Sequence, residues 1–248
     1  MKKTYTTPAG NYYTIYKDML LQPHLLVAGA TGSGKSVVIN GIITTALYDS
    51  PAAVQFIFID PKRVELAEYK NLPHCIKYAS EPGDMVQALE TAMNLTESRY
   101  RDMQRAGVRK YPGGAVYVVI DELADLMTTD RKHVQPLIQR LAQIGRAANV
   151  HLIAATQCPL REVIPTAIKV NFDTRLALRT SSAQDSRNII GVAGCENFPD
   201  PRRAGRAEGI YKDGANLTHY DIPTYTEEER QRVLNYWRKN HKPRLKWF

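Results

Sequence analysis

The chain contains Gly29-Ala30-Thr31-Gly32-Ser33-Gly34-Lys35-Ser36, a stretch that fits the pattern G-x-x-x-x-G-K-[ST] at every fixed position. Glycines let the backbone curve tightly enough for several N–H groups to converge on a phosphate group. The lysine can reach the β- and γ-phosphates, and the serine hydroxyl can ligate Mg²⁺. The stretch therefore predicts a site for ATP and Mg²⁺.

Apolar runs on both sides give this stretch the context it requires. Residues 24–28 predict a short buried strand, and residues 37–47 are long enough for a helix. A helix that begins at the loop adds unsatisfied N–H groups and a favourable dipole for an anion. We therefore interpret the loop and the next residue, Val37, as the nucleotide-binding segment rather than as a ligand-free turn.

Segments typical of strands alternate with segments typical of helices along most of the chain. This alternation predicts an α/β fold with a mainly parallel, doubly wound sheet flanked by helices. Further strands are predicted at 54–59, 75–78, 116–120, 150–155 and 174–178, with an edge strand at 11–15 and a hairpin around Asp213-Gly214. Short helices are predicted within 61–69 and 185–190. Longer helices are predicted at 82–106, at 133–148 and from Thr226 to about 239.

Two carboxylates follow the predicted strand 116–120. Ligands of doubly wound sheets bind at the carboxyl ends of the strands, so we expect Asp121 and Glu122 to lie near Lys35. Asp121 is then suited to hold Mg²⁺ opposite Ser36, and Glu122 to orient and deprotonate an attacking water. The strand at 54–59 lies between the loop and these carboxylates, which favours the branch of P-loop proteins with a catalytic glutamate.

Two further polar residues are candidates for the same reaction. Gln157 follows the predicted strand 150–155 and is suited to contact a γ-phosphate, although an ordinary loop glutamine explains it equally well. Arg146 lies near the end of the helix predicted at 133–148. A cation stabilises the C-terminal end of a helix, so the role of Arg146 could be structural. This arginine could instead stabilise transition-state charge in a neighbouring subunit.

Composition limits the remaining interpretations. The 248 residues carry a formal net charge of +8, which favours a polyanionic partner such as nucleic acid. Cys75, Cys158 and Cys195 are far apart and lack metal-ligand spacing, which predicts reduced thiols. Without an apolar run of about 18 residues, no membrane span is expected, and we predict a cytoplasmic protein. One domain is expected at 23–223, with a lead-in segment at 1–22 and a basic helical tail at 224–248.

Over about residues 20–222 the sequence resembles the FtsK/SpoIIIE family of DNA-translocating ATPases. The motifs that carry the resemblance are residues 23–36, Asp60-Pro61-Lys62 with Glu65-Leu66, Asn71-Leu72-Pro73-His74, Ser98-Arg99-Tyr100, residues 119–127, Gly145-Arg146-Ala147-Ala148, Ala155-Thr156-Gln157, Ile168-Lys169-Val170-Asn171 and residues 181–187.

The resemblance implies a RecA-like motor fold, a homo-hexameric ring and double-stranded DNA that passes through the ring during ATP hydrolysis. It also implies that Arg146 acts in trans as an arginine finger and that Gln157 senses the γ-phosphate. Lys169 and Arg187 would lie in two loops that face the pore and bind DNA phosphates. A protein partner that loads the motor is left open.

Some residues depart from the family pattern. Cys158 replaces the usual basic residue after the glutamine, and Ala183 replaces a common lysine. Contacts with DNA in the pore could instead come from Arg161 or from the cluster Arg202-Arg203-Arg206. The basic, aromatic tail could contact DNA, dock a partner or pack on the motor. The family's usual membrane span and winged-helix module are not expected here, an arrangement that suggests a mobile element or phage.

The preferred interpretation is an ATP-driven translocase that acts on double-stranded DNA. Two alternatives remain at this stage. One is a coupling or secretion ATPase that acts on a protein–DNA complex, and the other is an ATP-dependent DNA-binding switch in replication or partitioning.

Overall fold

The computed structural model describes residues 12–49, 51–157, 164–222 and 224–240, and these contain one eight-stranded sheet. The strands are β1 (His24–Ala28), β2 (Val54–Ile59), β3 (Cys75–Ala79), β4 (Ala115–Ile120), β5 (Val150–Thr156), β6 (Thr174–Leu178), β7 (Ala207–Asp213) and β8 (Asn216–Ile222). The helices are α1 (Tyr12–Leu21), α2 (Lys35–Asp49), α3 (Pro82–Ala106), α4 (Leu123–Thr129), α5 (Arg131–Ile144), α6 (Thr166–Lys169), α7 (Ala183–Ile190), α8 (Pro201–Ala204) and α9 (Glu227–Lys239).

The strand order is β3-β2-β4-β5-β1-β6-β7-β8. The first six strands are parallel, and β7 and β8 are added antiparallel as a hairpin. This arrangement confirms the predicted mainly parallel sheet. It also places β5 between β1 and β4, so the segment after β5 lies between the glycine loop and Asp121-Glu122.

Helices cover both faces of the sheet, as a sheet with two buried faces requires. Leu25 and Val27 of β1 face the layer formed by α1, α2 and α9. Leu26 faces the layer formed by α3, α4 and α5. In the part of the chain that the structure describes, no helix is both long and apolar enough to cross a membrane.

The edge strand predicted at 11–15 is wrong, because residues from Tyr12 onward form α1. Tyr16 is fully buried and packs on α2 at Gly41, where an added Cβ would come within 2.2 Å of the tyrosine ring. Met19 is buried and Leu20 packs beside it, which gives the i, i+3, i+4 spacing of a helix face. Asn11 lies outside the described residues.

The helix predicted at 133–148 differs at both ends. It begins at Arg131, where the Asp130 side chain accepts a hydrogen bond from the backbone N–H of His133, and it ends at Ile144. Residues 145–149 form a turn instead of a last helical turn. Only a short 3-10 turn, at Ala67–Tyr69, is present in the segment after β2 for which a helix was predicted.

The helix α9 packs against α2. Thr226 and Glu229 form a capping box at its start, as the predicted N-cap implies. Leu234 is buried, and the indole of Trp237 donates to the carbonyl of Leu47 at 3.2 Å. Arg230 pairs with Glu68, so part of the tail's positive charge is used within the chain. Residues 241–248 lie outside the described part.

Candidate nucleotide-binding site

The glycine loop joins the carboxyl end of β1 to α2, and backbone hydrogen bonds fix its base. Gly29 N–H donates to Thr156 at 3.3 Å, and Ala30 N–H donates to Arg179 at 2.8 Å. Gly32 and Gly34 have φ of 74° and 100°, values at which a side chain would be strained. The loop therefore takes the tight curve that the sequence pattern predicts.

The space above Gly29 is closed to a side chain. A Cβ there would lie 2.7 Å from the Ser33 hydroxyl and 2.9 Å from Leu178. That hydroxyl is buried and has no hydrogen-bond partner among the described residues. A backbone that curves this closely, with glycines at the tight positions, fits a phosphate group.

Lys35, the first residue of α2, lies inside the curve of the loop. Its Nζ donates to the carbonyls of Gly29 at 2.7 Å and Ala30 at 3.0 Å. Burial lowers the pKa of the ammonium to about 8, an effect that the Glu122 carboxylate opposes and Lys62 reinforces. An anionic phosphate in the loop would stabilise the charged form and give this lysine a stronger partner.

Asp121 directly follows β4 and is mostly buried. Burial raises the pKa of its carboxyl to about 6, and the carboxylates of Asp60 and Glu65 add to this effect. A carboxylate that is costly to ionise alone gains from a bound divalent cation. Hard cations prefer oxygen ligands, so Asp121 and the hydroxyl of Ser36 have the donor chemistry that fits Mg²⁺.

Glu122 is held in place from two sides. Both of its carboxylate oxygens accept from the backbone N–H of Gln157 at 3.1 Å, and one accepts from Ala124 N–H at 3.3 Å. The carboxylate is therefore oriented before any ligand binds. Lys62 Nζ lies 3.6 Å from Glu122 Oε2 and 3.6 Å from Asp125 Oδ2.

The Gln157 side chain joins this carboxylate to the glycine loop. Its Oε1 accepts a hydrogen bond from the Thr31 hydroxyl at 2.6 Å. One residue thus contacts the tip of the loop through its side chain and Glu122 through its backbone. A displacement of Thr31 can therefore be transmitted through Gln157 to the carboxylate of Glu122.

Two further residues of this site, Asp60 and Lys62, were not assigned a role from the sequence. Asp60 is fully buried and accepts from the backbone N–H of Leu66 at 3.0 Å. Lys62 bridges Glu122 and Asp125 from the same loop. The signal was the motif Asp60-Pro61-Lys62 directly after β2, at the edge of the sheet where ligands bind.

Arg146 lies at the amino ends of the parallel strands, which we call the amino edge of the sheet. The glycine loop lies at the carboxyl edge, where these strands end. Arg146 precedes β5, whose far end meets the glycine loop through Thr156. The seven residues of β5 separate the two by roughly 20 Å. The Arg146 side chain is exposed and forms no hydrogen bond or ion pair with the residues that the structure describes.

The two predicted DNA-binding residues differ in exposure, and neither lies in a loop. Lys169 ends α6 and is only 9% exposed, whereas Arg187 lies on α7 and is exposed. The guanidinium of Arg175 donates to the carbonyls of Lys169 at 2.7 Å and Ile189 at 2.9 Å, so it ties the ends of both helices together. Only Arg187 presents its charge to solvent in this conformation.

The alternative basic cluster lies beside the nucleotide loop. Arg202 forms a two-pronged pair with Asp200 at 3.0 and 2.6 Å, and its Nε would lie 3.2 Å from a Cβ on Gly32. Arg206 is paired with Glu208 at 3.2 Å. Cys158, which replaces the family's usual basic residue, and Arg161, the other candidate for the DNA contact, lie outside the described residues.

Comparison with known proteins agrees with this geometry. The family model "FtsK/SpoIIIE family" matches residues 10–114 and 111–161. The DNA translocases FtsK of Staphylococcus epidermidis and of Lactococcus lactis subsp. cremoris are each 40% identical, over 86% and 79% of this chain. The matches cover 29% and 28% of those proteins, so the chain spans less than a third of their length.

Solved structures share the fold. The pCW3 conjugation coupling protein TcpA is 24% identical with a TM-score of 0.74, over 86% of this chain and 64% of its own. The cytoplasmic domain of the Thermomonospora curvata type VII secretion ATPase EccC is 21% identical with a TM-score of 0.77, over 92% of this chain and 29% of its own. The fold is that of a P-loop ATPase, and the chain is a member of the FtsK/SpoIIIE family.

Proposed function

We propose that the chain hydrolyses ATP and uses the energy to move along double-stranded DNA as part of a homo-hexameric ring. The observation that carries the proposal is the contact of Gln157 with both Glu122 and Thr31, because it joins a pre-oriented carboxylate to the phosphate-binding loop. The family membership and the 40% identity to proteins named DNA translocase support the DNA part.

In this proposal, residues 29–37 bind the triphosphate. Lys35 exchanges its two carbonyl partners for oxygens of the β- and γ-phosphates. Ser36 and Asp121 hold Mg²⁺, which neutralises charge on the phosphates when bound. Asp121 ionises fully in that state, since a nearby cation lowers the pKa of a carboxyl.

Glu122 is the proposed general base. Its carboxylate accepts a proton from water as the water oxygen bonds to the γ-phosphorus and the bond to the β-phosphate oxygen breaks. ADP leaves with the bridging oxygen, and the transferred group leaves as phosphate. Gln157 is the proposed sensor, because a γ-phosphate would compete for the Thr31 hydroxyl that its side chain now binds.

The remaining positive charge comes from another subunit in this proposal. The Arg146 side chain lies too far from the glycine loop of its own chain to reach it, and its exposure leaves it available to a neighbour. A trans arginine of this kind stabilises transition-state charge on the phosphoryl group. The active site is thus completed only on assembly.

Arg187 is the proposed DNA contact, through phosphates and hence without sequence preference. Lys169 would join it only after its side chain turns outward from its buried position. We assign the motor to residues 23–223 and an accessory role to the tail, 224–248. We place the activity in the cytoplasm, where both ATP and DNA are present.

The test is ATP turnover with and without long linear duplex DNA, with Glu122→Gln protein as the blank. We expect turnover to rise at least several-fold with duplex and little with short oligonucleotides. Turnover unaffected by duplex of any length would overturn the translocase proposal. Stimulation that requires a protein bound to the DNA would favour the coupling-type alternative.

A further inference from the structure

Hydrogen bonds fix the backbone of the turn that carries Arg146. Each of the six consecutive backbone carbonyl oxygens from Ile144 to Asn149 accepts a hydrogen bond. Two of these bonds close the turn on itself, since Val150 N–H donates to Gly145 and Asn149 N–H to Arg146. The others come from outside the turn, so its conformation depends on neighbouring elements.

Two adjacent residues of α3 supply the side-chain donors. Arg99 Nη1 donates to the carbonyls of Ala148 at 2.8 Å and Asn149 at 2.9 Å. The Tyr100 hydroxyl donates to Ile144 at 2.9 Å. The pair therefore grips both ends of the turn. Backbone N–H groups of Tyr111 and Val116 complete the set.

Arg99 is a buried cation. It is 3% exposed, and no carboxylate forms an ion pair with it among the described residues. Its guanidinium lies 4.3 Å from the centre of the Tyr111 ring. Burying a cation is costly unless fixed dipoles replace its water. Here the replacing dipoles include the carbonyls of the turn.

The turn ends in a left-handed residue. Asn149 has φ of 56°, a conformation that is uncommon outside glycine and that asparagine adopts more readily than other residues. Its side chain donates to Gly113 at 2.7 Å and contacts His151 at 2.8 Å. Such conformations persist where surrounding contacts fix them, and they are common at functional positions. The one exposed, unpaired charge on this fixed turn is that of Arg146, within the described residues.

We propose that Arg99 and Tyr100 are positioning residues that hold Arg146 in the orientation needed to reach a neighbouring subunit's nucleotide. This inference rests on the proposed trans role of Arg146. Because the backbone of the turn is already ordered, less conformational entropy is lost when Arg146 takes its catalytic position. Small displacements of a catalytic group can lower the rate by up to about 10²-fold.

Loosening the turn should affect kcat and KM for ATP differently. The nucleotide of the same chain binds at the other edge of the sheet, so loosening the turn leaves KM for ATP unchanged. The kcat falls, because the arginine contributes mainly in the transition state. A general loss of stability would also lower the apparent kcat at unchanged KM, because less enzyme is folded, but it would speed hydrogen exchange throughout the chain rather than at the turn alone.

The experiment uses Tyr100→Phe, which removes one hydroxyl, and Arg99→Lys, which keeps the charge but not the two-carbonyl contact. Tyr117→Phe is the matched control, since its hydroxyl also donates to a backbone carbonyl, that of Leu20 at 3.1 Å. Hydrogen exchange of peptides over 144–150 reports the order of the turn, and peptides over 29–36 report the nucleotide loop.

For Tyr100→Phe we expect faster exchange over 144–150 only, about 10-fold lower kcat and unchanged KM, with larger effects for Arg99→Lys. Adding Tyr100→Phe to Arg146→Ala should slow turnover no further than Arg146→Ala alone. Unchanged exchange over 144–150, or a loosened turn with full kcat, would overturn the inference. Full activity of Arg146→Ala would overturn the trans role itself, a separate failure, because the exchange result does not depend on Arg146.

Discussion

The two edges of the parallel sheet are built in opposite ways. At the carboxyl edge, charged groups are crowded and buried, and burial shifts the pKa of Lys35 to about 8 and that of Asp121 to about 6. At the amino edge, the side chain of Arg146 is exposed, and hydrogen bonds from Arg99 and Tyr100 hold the backbone of the turn that carries it. One edge is prepared to receive charge, and the other presents it.

Under the proposed trans role of Arg146, a single chain holds two complementary halves of a site that cannot meet within it. The length of β5, roughly 20 Å, separates the two halves. In a ring of copies in the same orientation, the amino edge of one subunit can face the carboxyl edge of the next. Breaking either half should therefore give distinguishable defects.

The largest effect is expected from removing Lys35 at the carboxyl edge. Lys35→Ala should abolish ATP turnover and weaken nucleotide binding at least 10²-fold, because the β- and γ-phosphates lose their buried cation. Nucleotide binding by calorimetry and phosphate release measure the two effects. Lys77→Ala, at a partly exposed lysine of β3 that contacts Gln87, is the control and should bind normally. Normal turnover by Lys35→Ala would refute the loop assignment.

The next effect separates binding from chemistry. Glu122→Gln should bind ATP normally and lose about 10²- to 10⁴-fold in kcat, because an amide cannot take a proton from water. Asp125→Asn is the control, since Asp125 contacts the same Lys62 yet lies outside the proposed chemistry. Equal losses in the two variants would contradict the assignment of Glu122 as the base.

A smaller effect is expected on DNA binding. Arg187→Ala should weaken duplex binding several-fold and lower the slope of log K against log salt by about one for each phosphate that is no longer neutralised. Lys169→Ala should have less effect if its side chain stays buried, as it is here. Binding titrations between 50 and 200 mM salt test both, with Arg140→Ala as a control. A greater loss of affinity for Lys169→Ala than for Arg187→Ala would show that α6 rearranges on DNA.

The smallest effect concerns stability. The pKa of Asp121 is raised in the folded protein, so its carboxyl stabilises the fold at low pH, and that stability is lost as pH rises through about 6. Without Mg²⁺, Asp121→Asn should raise the free energy of unfolding by roughly 1–2 kcal/mol at pH 7.5 and by almost nothing below pH 4. Denaturant titrations at the two pH values measure this. A gain that does not depend on pH would contradict the cause assigned here.

Much of the fold could be predicted because its signals are local. The glycine loop stands between an apolar run and a helix, and the central strands of the sheet are continuous apolar segments. The helix predicted at 82–106 has those bounds in the structure, Pro82–Ala106. Asp121, Glu122 and Gln157 could be predicted to lie together because each follows a strand, and the topology brings those strand ends together.

The features that could not be predicted depend on contacts between distant residues. α1 forms because Tyr16 finds space at Gly41, which no local pattern shows. The turn at 145–149 replaces a helix end because Arg99, about 50 residues earlier, binds its carbonyls. The burial of Lys169 likewise follows from tertiary packing, whereas the sequence indicated only a loop cation.

The most direct test of the composite site mixes two inactive proteins. Arg146→Ala and Glu122→Gln subunits should each turn over little ATP alone, with losses on the order of 10³-fold for the arginine. Mixed assemblies should regain activity, because an Arg146→Ala subunit keeps its own Glu122 and receives Arg146 from a Glu122→Gln neighbour. Rescue that peaks near an equal ratio is the predicted result. Mixtures that stay inactive at every ratio, although mixed rings form, would contradict the account.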